Sequence, residues 1–170
     1  EYSTIVLFNI RFFFQTKDGI RSLVRSSGVG DGFKRQPAGT PVSPDLPSRV
    51  RQHLQRLHVA TLATVGPDGP WAAAVFYVDE GWDLYFLSSP TSRHALNLTH
   101  NAQIAVTIQA DHADWPGIQG VQLEGTVELL QGDAETRARH LYGQKFPVVG
   151  KLAQAPAAIV KALTKVRWYR

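Results

Sequence analysis

The 170-residue chain contains no cysteine, which excludes disulfides and thiolate metal ligands and is compatible with a cytoplasmic location. Charge of one sign is not concentrated: the net charge is +4, and no stretch resembles a nucleic-acid-binding patch. Long apolar runs are also missing. The longest early one, Thr4–Phe14, is interrupted by Asn9 and Arg11 and is shorter than the roughly 20 residues of a membrane-spanning helix. We therefore expect neither a membrane nor a nucleic-acid partner.

Residues 1–45 differ in composition from the rest of the chain. A β-prone run at Ile5–Phe14 leads into Ser26–Pro44, whose Gly, Ser and Pro content is typical of a flexible segment. We interpret 1–45 as a flexible or uncertain N-terminal extension; a tail, a mispredicted start and a capping strand all remain open. The predicted domain is 46–170.

The remaining residues show both helical and strand periodicity. Val50, Leu54 and Leu57 form one apolar stripe, which predicts a helix beginning near Pro47. Further helices are predicted at Ser92–Asn101, at Asp133–Tyr142 with Asp133 as the cap, and at Ala157–Leu163. Strands are predicted at Val59–Val65, Trp71–Val78, Asp83–Leu87, Gln103–Gln109, Val121–Leu130 and Val166–Arg170.

This order predicts a mainly β fold, a small antiparallel β-barrel with peripheral helices, because short connections favour antiparallel pairing and closure removes exposed edges. In the long strand, Val121, Leu123, Val127 and Leu129 are predicted to share one face, with Gly125 as a bulge or a point of close approach. The chain stops inside the last predicted strand, so we expect that a C-terminal piece is missing.

The segment Leu87–His94 carries the strongest chemical signal. A strand ends in hydroxyls, the chain turns at Pro90, and a helix begins near Ser92. Free N–H groups at a helix N-terminus bind anions, and Arg93 and His94 add donors suited to a phosphate. A simple N-cap with a solvated Arg93 explains the same pattern without a ligand.

In several short motifs the sequence resembles the pyridoxamine 5′-phosphate oxidase-like, FMN-binding split-barrel superfamily, and within it the small bacterial YhbP-like branch. The motifs are Ala60–Thr64, Gly69–Tyr77, Leu84–Pro90 with Arg93-His94, and Trp115 with Ile118–Gly125. Their order and spacing agree over residues 46–170. The resemblance implies an FMN-binding split barrel, a homodimer with flavin at the interface, and an oxidoreductase of unknown substrate and catalytic residues.

The resemblance also implies the cofactor-binding residues. The second strand lines the isoalloxazine ring with Ala72, Ala73, Ala74, Val75, Phe76 and Tyr77. The ribityl and phosphate groups are bound by Leu87, Ser88, Ser92, Arg93 and His94, where the family often has Lys in place of His94. Gln122 is the candidate that approaches the flavin from the partner subunit. The small side chains of Ala72–Ala74 agree with a flat ring close to the strand, although a tightly packed strand needs no ligand.

Three alternatives remain. A non-catalytic sensing or storage module would hold flavin or haem, with His58, His94 or His112 as candidate haem ligands. Hydrolysis by Ser92 and His94 is disfavoured, because this spacing rarely brings a hydroxyl to an imidazole and no Gly-x-Ser-x-Gly elbow is present. Asp111, His112 and Asp114 lack helical ligand spacing, so no metal site is predicted.

Overall fold

The computed structural model describes residues 9–16, 19–23, 46–113, 118–150 and 156–170. The predicted flexible run Ser26–Pro44 and the motif residue Trp115 lie outside the described residues. The helices are α1 (Leu46–Arg56), α2 (Arg93–His100), α3 (Gly132–Lys145), α4 (Pro147–Gly150) and α5 (Ala157–Leu163). The strands are β1 (Asn9–Thr16), β2 (Gly19–Leu23), β3 (Val59–Gly66), β4 (Gly69–Glu80), β5 (Asp83–Ser88), β6 (Gln103–Gln109), β7 (Gln119–Thr126) and β8 (Arg167–Tyr169).

The strands form one antiparallel sheet in the order β2-β1-β7-β6-β3-β4-β5-β8. The chain just after β7 returns to the last strand of this order. Glu128 N donates to Arg170 O at 2.8 Å, and Leu130 N donates to Trp168 O at 2.8 Å. The six strands from β7 to β8 therefore close into a barrel, which confirms the predicted mainly β fold.

Two apolar clusters stabilise this arrangement. The barrel interior is filled by alternate residues of the strands, such as Leu62, Ile108 and Val121, together with Leu54 from the predicted stripe of α1. The second cluster lies between β4, β5, β8 and α3, where Tyr142 packs edge-on against Trp168 at 5.3 Å between ring centroids. The helix α3 is thus held on the outside of the barrel.

Three local predictions are wrong. Leu129 is 48% exposed and its neighbour Leu130 is buried, because the chain leaves the regular ladder after Thr126. Gly125 pairs with Ile104 in an unbroken register, so it is not a bulge. The N-cap of α3 is Gln131, and Asp133 lies within the first turn.

The N-terminal hairpin extends the sheet beyond the barrel. Strand β1 pairs with β2 and with the edge of β7, placing Arg11 opposite Gln122. The division of the chain at 45/46 stays a prediction. Among the described residues, no helix is long and apolar enough to cross a membrane.

Candidate functional site

The segment singled out in the sequence forms the predicted strand–turn–helix at one end of the barrel. Strand β5 ends at Ser88, and Ser92 caps α2 with an extended backbone (φ −68°, ψ 148°). The Ser92 hydroxyl accepts a hydrogen bond from Ala95 N at 3.3 Å. The first turn of α2 is therefore fixed by its own cap.

Three polar side chains meet at this turn, and we refer to Ser88, Ser92 and His94 as the hydroxyl–imidazole cluster. His94 Nε2 lies 2.6 Å from Ser88 Oγ and 3.1 Å from Ser92 Oγ, and the two hydroxyl oxygens are 3.0 Å apart. The expectation that a serine two residues before a histidine rarely reaches its ring is wrong here. The extended backbone of the cap turns the Ser92 side chain back over the helix.

Two residues of the cluster are buried, since His94 is 8% exposed and Ser88 is 9% exposed, and Ser92 is half-buried. Burial lowers the pKa of His94 below its ordinary value, because desolvation penalises the charged imidazolium. The imidazole is therefore neutral near pH 7. Within the cluster the Ser88 hydroxyl can donate or accept, whereas the Ser92 hydroxyl donates to Ser89 O at 2.9 Å.

Arg93 lies beside the cluster and is held by the β3–β4 turn. Its Nη2 donates to Asp68 O at 2.8 Å, and its guanidinium carbon lies 4.5 Å from the ring centroid of Trp71. Its Nε is buried without a hydrogen-bond partner, and no carboxylate pairs with Arg93 within the described ranges. A buried guanidinium donor without a partner in the first turn of a helix fits an anionic group.

Asn97 fixes the position of α2 on the barrel. The side chain is 4% exposed, and its Nδ2 donates to the Thr64 hydroxyl at 3.1 Å. Its Oδ1 packs against the backbone of Gly66, where any side chain would collide. The start of α2 is therefore held against the same hairpin that binds Arg93.

Strand β4 places the six predicted ring-lining residues on two sides. Ala72, Ala74 and Phe76 are exposed on the outside of the barrel, whereas Val75 and Tyr77 are buried inside it and Ala73 is half-buried. Because side chains alternate along a strand, only the first three can present side chains to a ligand outside the barrel. The backbone role predicted for the whole segment stays a prediction.

Gln122 lies on the same outer surface. The ladder registers place Ala74, Thr61, Thr107 and Gln122 in one row across β4, β3, β6 and β7. A groove of about 350 Å³ is lined by Thr61, Thr107 and Gln122 of this row and by the neighbouring Ala63 and Ala105. The structure therefore brings Gln122 and the outward alanines of β4 onto one continuous face, which we call the outer face.

The sequence did not reveal the long-range partners of the site. Asp68, Trp71 and Asn97 contact or position α2, and the first two come from a hairpin more than 20 residues away. Only Asn97 carried a signal, because it lies one helical turn after His94. Leu87 is half-buried, lies opposite Trp168 and packs against the second apolar cluster, on the other side of β5 from Ser88.

The other predicted histidines take different positions. His58 lies edge-on to Phe146 at 5.8 Å, and His112 has a buried Nε2 without a hydrogen-bond partner. Asp114 lies outside the described residues. Within the part of the chain that the structure describes, no three His, Cys, Asp or Glu side chains are grouped to hold a metal ion.

The fold and the sequence together define the class of protein. The closed antiparallel strands with peripheral helices are those of a split barrel, and the family model for pyridoxamine 5′-phosphate oxidase matches residues 46–168. The chain belongs to this family. The match spans nearly the same residues as the predicted domain and confirms the resemblance inferred from the sequence motifs.

Two kinds of relative support this assignment. A UPF0306 protein of Yersinia pseudotuberculosis (strain IP 31758) is 34% identical over 116 residues, which cover 67% of this chain and 78% of the relative. The UPF0306 protein of Yersinia pestis (strain Angola) matches to the same extent.

Solved structures share the fold at lower identity. HutZ of Vibrio cholerae, described as a haem storage protein, superposes with a TM-score of 0.58 at 20% identity, covering 72% of this chain and 86% of HutZ. A haem-binding protein of Mycobacterium smegmatis has a TM-score of 0.59 at 23% identity and covers 76% of this chain and 51% of its own.

Proposed function

We propose that the chain is an FMN-binding flavoprotein and acts as an oxidoreductase. One observation carries the proposal: the cap and first turn of α2 hold both the hydroxyl–imidazole cluster and Arg93, whose Nε is buried without a hydrogen-bond partner. A phosphate monoester offers acceptor oxygens to hydroxyl and guanidinium donors, and the helix dipole favours its negative charge. A cytoplasmic location stays a prediction.

The residues present fit the proposed cofactor. Ser88, Ser92 and Arg93 would bind the phosphate, and His94 would add a donor once its ring is protonated. Ala72 and Ala74 would allow a flat ring against the outer side of β4. Bound FMN would supply hydride and electron transfer, whereas the protein supplies binding and orientation.

The outer face supports the homodimer as part of the same proposal. Val59 is 42% exposed and Val65 is 52% exposed, and both lie on the outward side of β3, opposite Phe76 and Pro70 of β4. An exposed apolar sheet surface beside a groove is typical of an interaction site. A second copy of the chain covering this face would place Gln122 of each subunit near the cofactor of the other.

Haem is the second candidate, because two neighbours of the same fold are described as haem proteins. An axial ligand needs an imidazole nitrogen that is open to the iron. His94 Nε2 is instead within hydrogen-bond distance of two hydroxyls. The environment of His94 therefore favours an anionic group over a metal centre.

Reconstitution of the purified chain tests the proposal. We expect the protein to take up FMN and to show the two absorption bands of bound oxidised flavin, rather than the single intense Soret band of haem. Arg93→Gln should weaken FMN binding roughly 10- to 100-fold, since charge-assisted hydrogen bonds contribute about 1.5–3 kcal/mol.

Arg137→Gln is the matched control, because Arg137 is an exposed arginine of α3 paired with Glu80 and distant in sequence from the site. It should bind FMN like the unmodified chain. Equal FMN affinity of Arg93→Gln and the unmodified chain would argue against the phosphate assignment. An absorption spectrum with a Soret band and no flavin bands would show that the cofactor is haem.

A further inference from the structure

The last strand brings another arginine to the end of β5. The register between β5 and β8 pairs Phe86 with Tyr169, Leu87 with Trp168, and Ser88 with Arg167. Directly opposed residues of an antiparallel pair point to the same side, with Cβ atoms about 4.5–5.5 Å apart. Arg167 therefore shares the face of Ser88, which belongs to the hydroxyl–imidazole cluster.

The register is fixed by the two neighbouring pairs. The rings of Phe86 and Tyr169 stack at 5.0 Å with an interplanar angle of 13°, and Trp168 is 1% exposed in the second apolar cluster. A slip of β8 by one residue would turn Trp168 out of its cluster. Packing on both faces of β8 thus holds Arg167 opposite Ser88.

In the part of the chain that the structure describes, no carboxylate neutralises the charge of Arg167. Its side chain is exposed, and it makes no ion pair or side-chain hydrogen bond with any residue that the structure describes. Arg170, at the other end of β8, is different, because it pairs with Asp83 and Glu128. The guanidinium of Arg167 remains available to a ligand beside Ser88.

We propose that Arg167 is a second cation of the phosphate site and binds the cofactor phosphate from the side opposite Arg93. This inference rests on the proposed function. Arg93 reaches the site from α2 and the β3–β4 turn, whereas Arg167 reaches it from β8. Two guanidinium groups match the two charges of a phosphate monoester and compensate for the weakly basic His94.

The position of Arg167 depends on the pairing of β8 with β5. Arg167 is brought to the site only when β8 pairs with β5. A chain in which β8 is detached from β5 would lose this cation. Formation of the phosphate site is therefore coupled to docking of β8 on β5.

The test titrates the apoprotein with FMN and with riboflavin, which lacks the phosphate, and follows flavin fluorescence. Arg167→Gln should raise the dissociation constant for FMN roughly 10-fold or more and leave that for riboflavin unchanged. Arg167→Lys should restore part of the FMN affinity. Lys165→Gln is the matched control, because Lys165 is an exposed cation two residues earlier, and it should bind FMN normally.

The outcomes separate this inference from the proposed function. If the unmodified chain binds FMN and Arg167→Gln binds it equally well, Arg167 does not contact the phosphate and the inference is overturned. An equal loss of FMN and riboflavin would also overturn it, because the effect would not depend on the phosphate. Failure of the unmodified chain to bind FMN overturns the proposed function itself.

Discussion

At the scale of single residues, the contact between Gly66 and Asn97 positions the site. A Cβ at residue 66 would collide with the Asn97 side chain amide, which is buried and hydrogen-bonded to Thr64. We expect Gly66→Ala to lower the free energy of unfolding by about 1–3 kcal/mol, in the range of overpacking substitutions. Chemical denaturation of both proteins measures this difference.

A double-mutant cycle identifies the cause of that loss. In an Asn97→Ala background the obstructing amide is absent and only the closer approach to the backbone of residue 97 is left, so most of the additional cost of Gly66→Ala should disappear. A full cost in both backgrounds would mean that residue 66 is constrained by something other than Asn97.

The buried histidine predicts a pH dependence of stability. Burial lowers the folded-state pKa of His94 below the ordinary value of 6.5. As the pH falls through the unfolded-state value, the unfolded chain binds a proton that the folded chain does not, so the free energy of unfolding decreases. We expect the cofactor-free protein to be less stable at pH 5.5 than at pH 7.5.

His94→Gln should reduce this pH dependence, since glutamine keeps a hydrogen-bonding group but does not titrate. The pKa of His53 is also lowered by burial, and its ring hydrogen-bonds to Ile108 O at 3.2 Å. His53 therefore contributes independently to the pH dependence of stability, and His53→Gln should reduce that dependence as well. An unchanged pH profile in both variants would contradict the burial argument.

The sequence predicted the local part of the site but not its long-range contacts. Ser88, Ser92, Arg93 and His94 follow one another in a strand–turn–helix, and helix-capping chemistry places them together without knowledge of the rest of the fold. Asp68 and Trp71 reach Arg93 only through the packing of α2 on the β3–β4 hairpin. The periodicity of one sequence does not predict contacts between residues that are far apart along the chain.

At the scale of secondary-structure elements, periodicity located the helices and strands, while packing decided the details. The apolar stripe of α1 and the alternation of β6 match the buried faces that the structure shows. Sequence alternation could not predict that β7 ends and an irregular segment begins at Val127–Leu130. That segment is hydrogen-bonded to the β8 end of the chain and does not continue the ladder with β6.

The closing strand β8 carries a large part of the barrel's stability. Trp168 is 1% exposed and packs between Tyr142 and the rest of the second cluster. We expect Trp168→Ala to cost about 3–5 kcal/mol, as for other buried aromatic truncations. Leu129→Ala, at the exposed partner position of Tyr169, should change stability by less than about 0.5 kcal/mol.

Thermal unfolding of the two variants provides the measurement. Similar melting temperatures of Trp168→Ala and Leu129→Ala would show that β8 is only loosely attached to the barrel. In that case the register that places Arg167 opposite Ser88 would also lose its support.

At the scale of the whole molecule, the outer face predicts self-association. Ala74 lies on that face, in register with Thr61, and is exposed. We expect Ala74→Glu to weaken a homodimer and to weaken FMN binding with it, because a charge would be buried in an apolar interface without a partner. Analytical ultracentrifugation over a concentration series measures the first effect.

Val148→Glu is the matched control, since Val148 is 55% exposed on α4 and does not lie on the outer face. It should leave the sedimentation behaviour unchanged. A monomeric unmodified chain at all concentrations would contradict the dimer.

The central claim is that the end of the barrel binds the phosphate of a flavin, and one comparison tests it most directly. The dissociation constants of the unmodified apoprotein for FMN and for riboflavin are measured under the same conditions. We predict that FMN binds at least about 10-fold more tightly, because only FMN engages the donors at Ser88, Ser92 and Arg93. Equal affinities, or no flavin binding at all, would contradict the account.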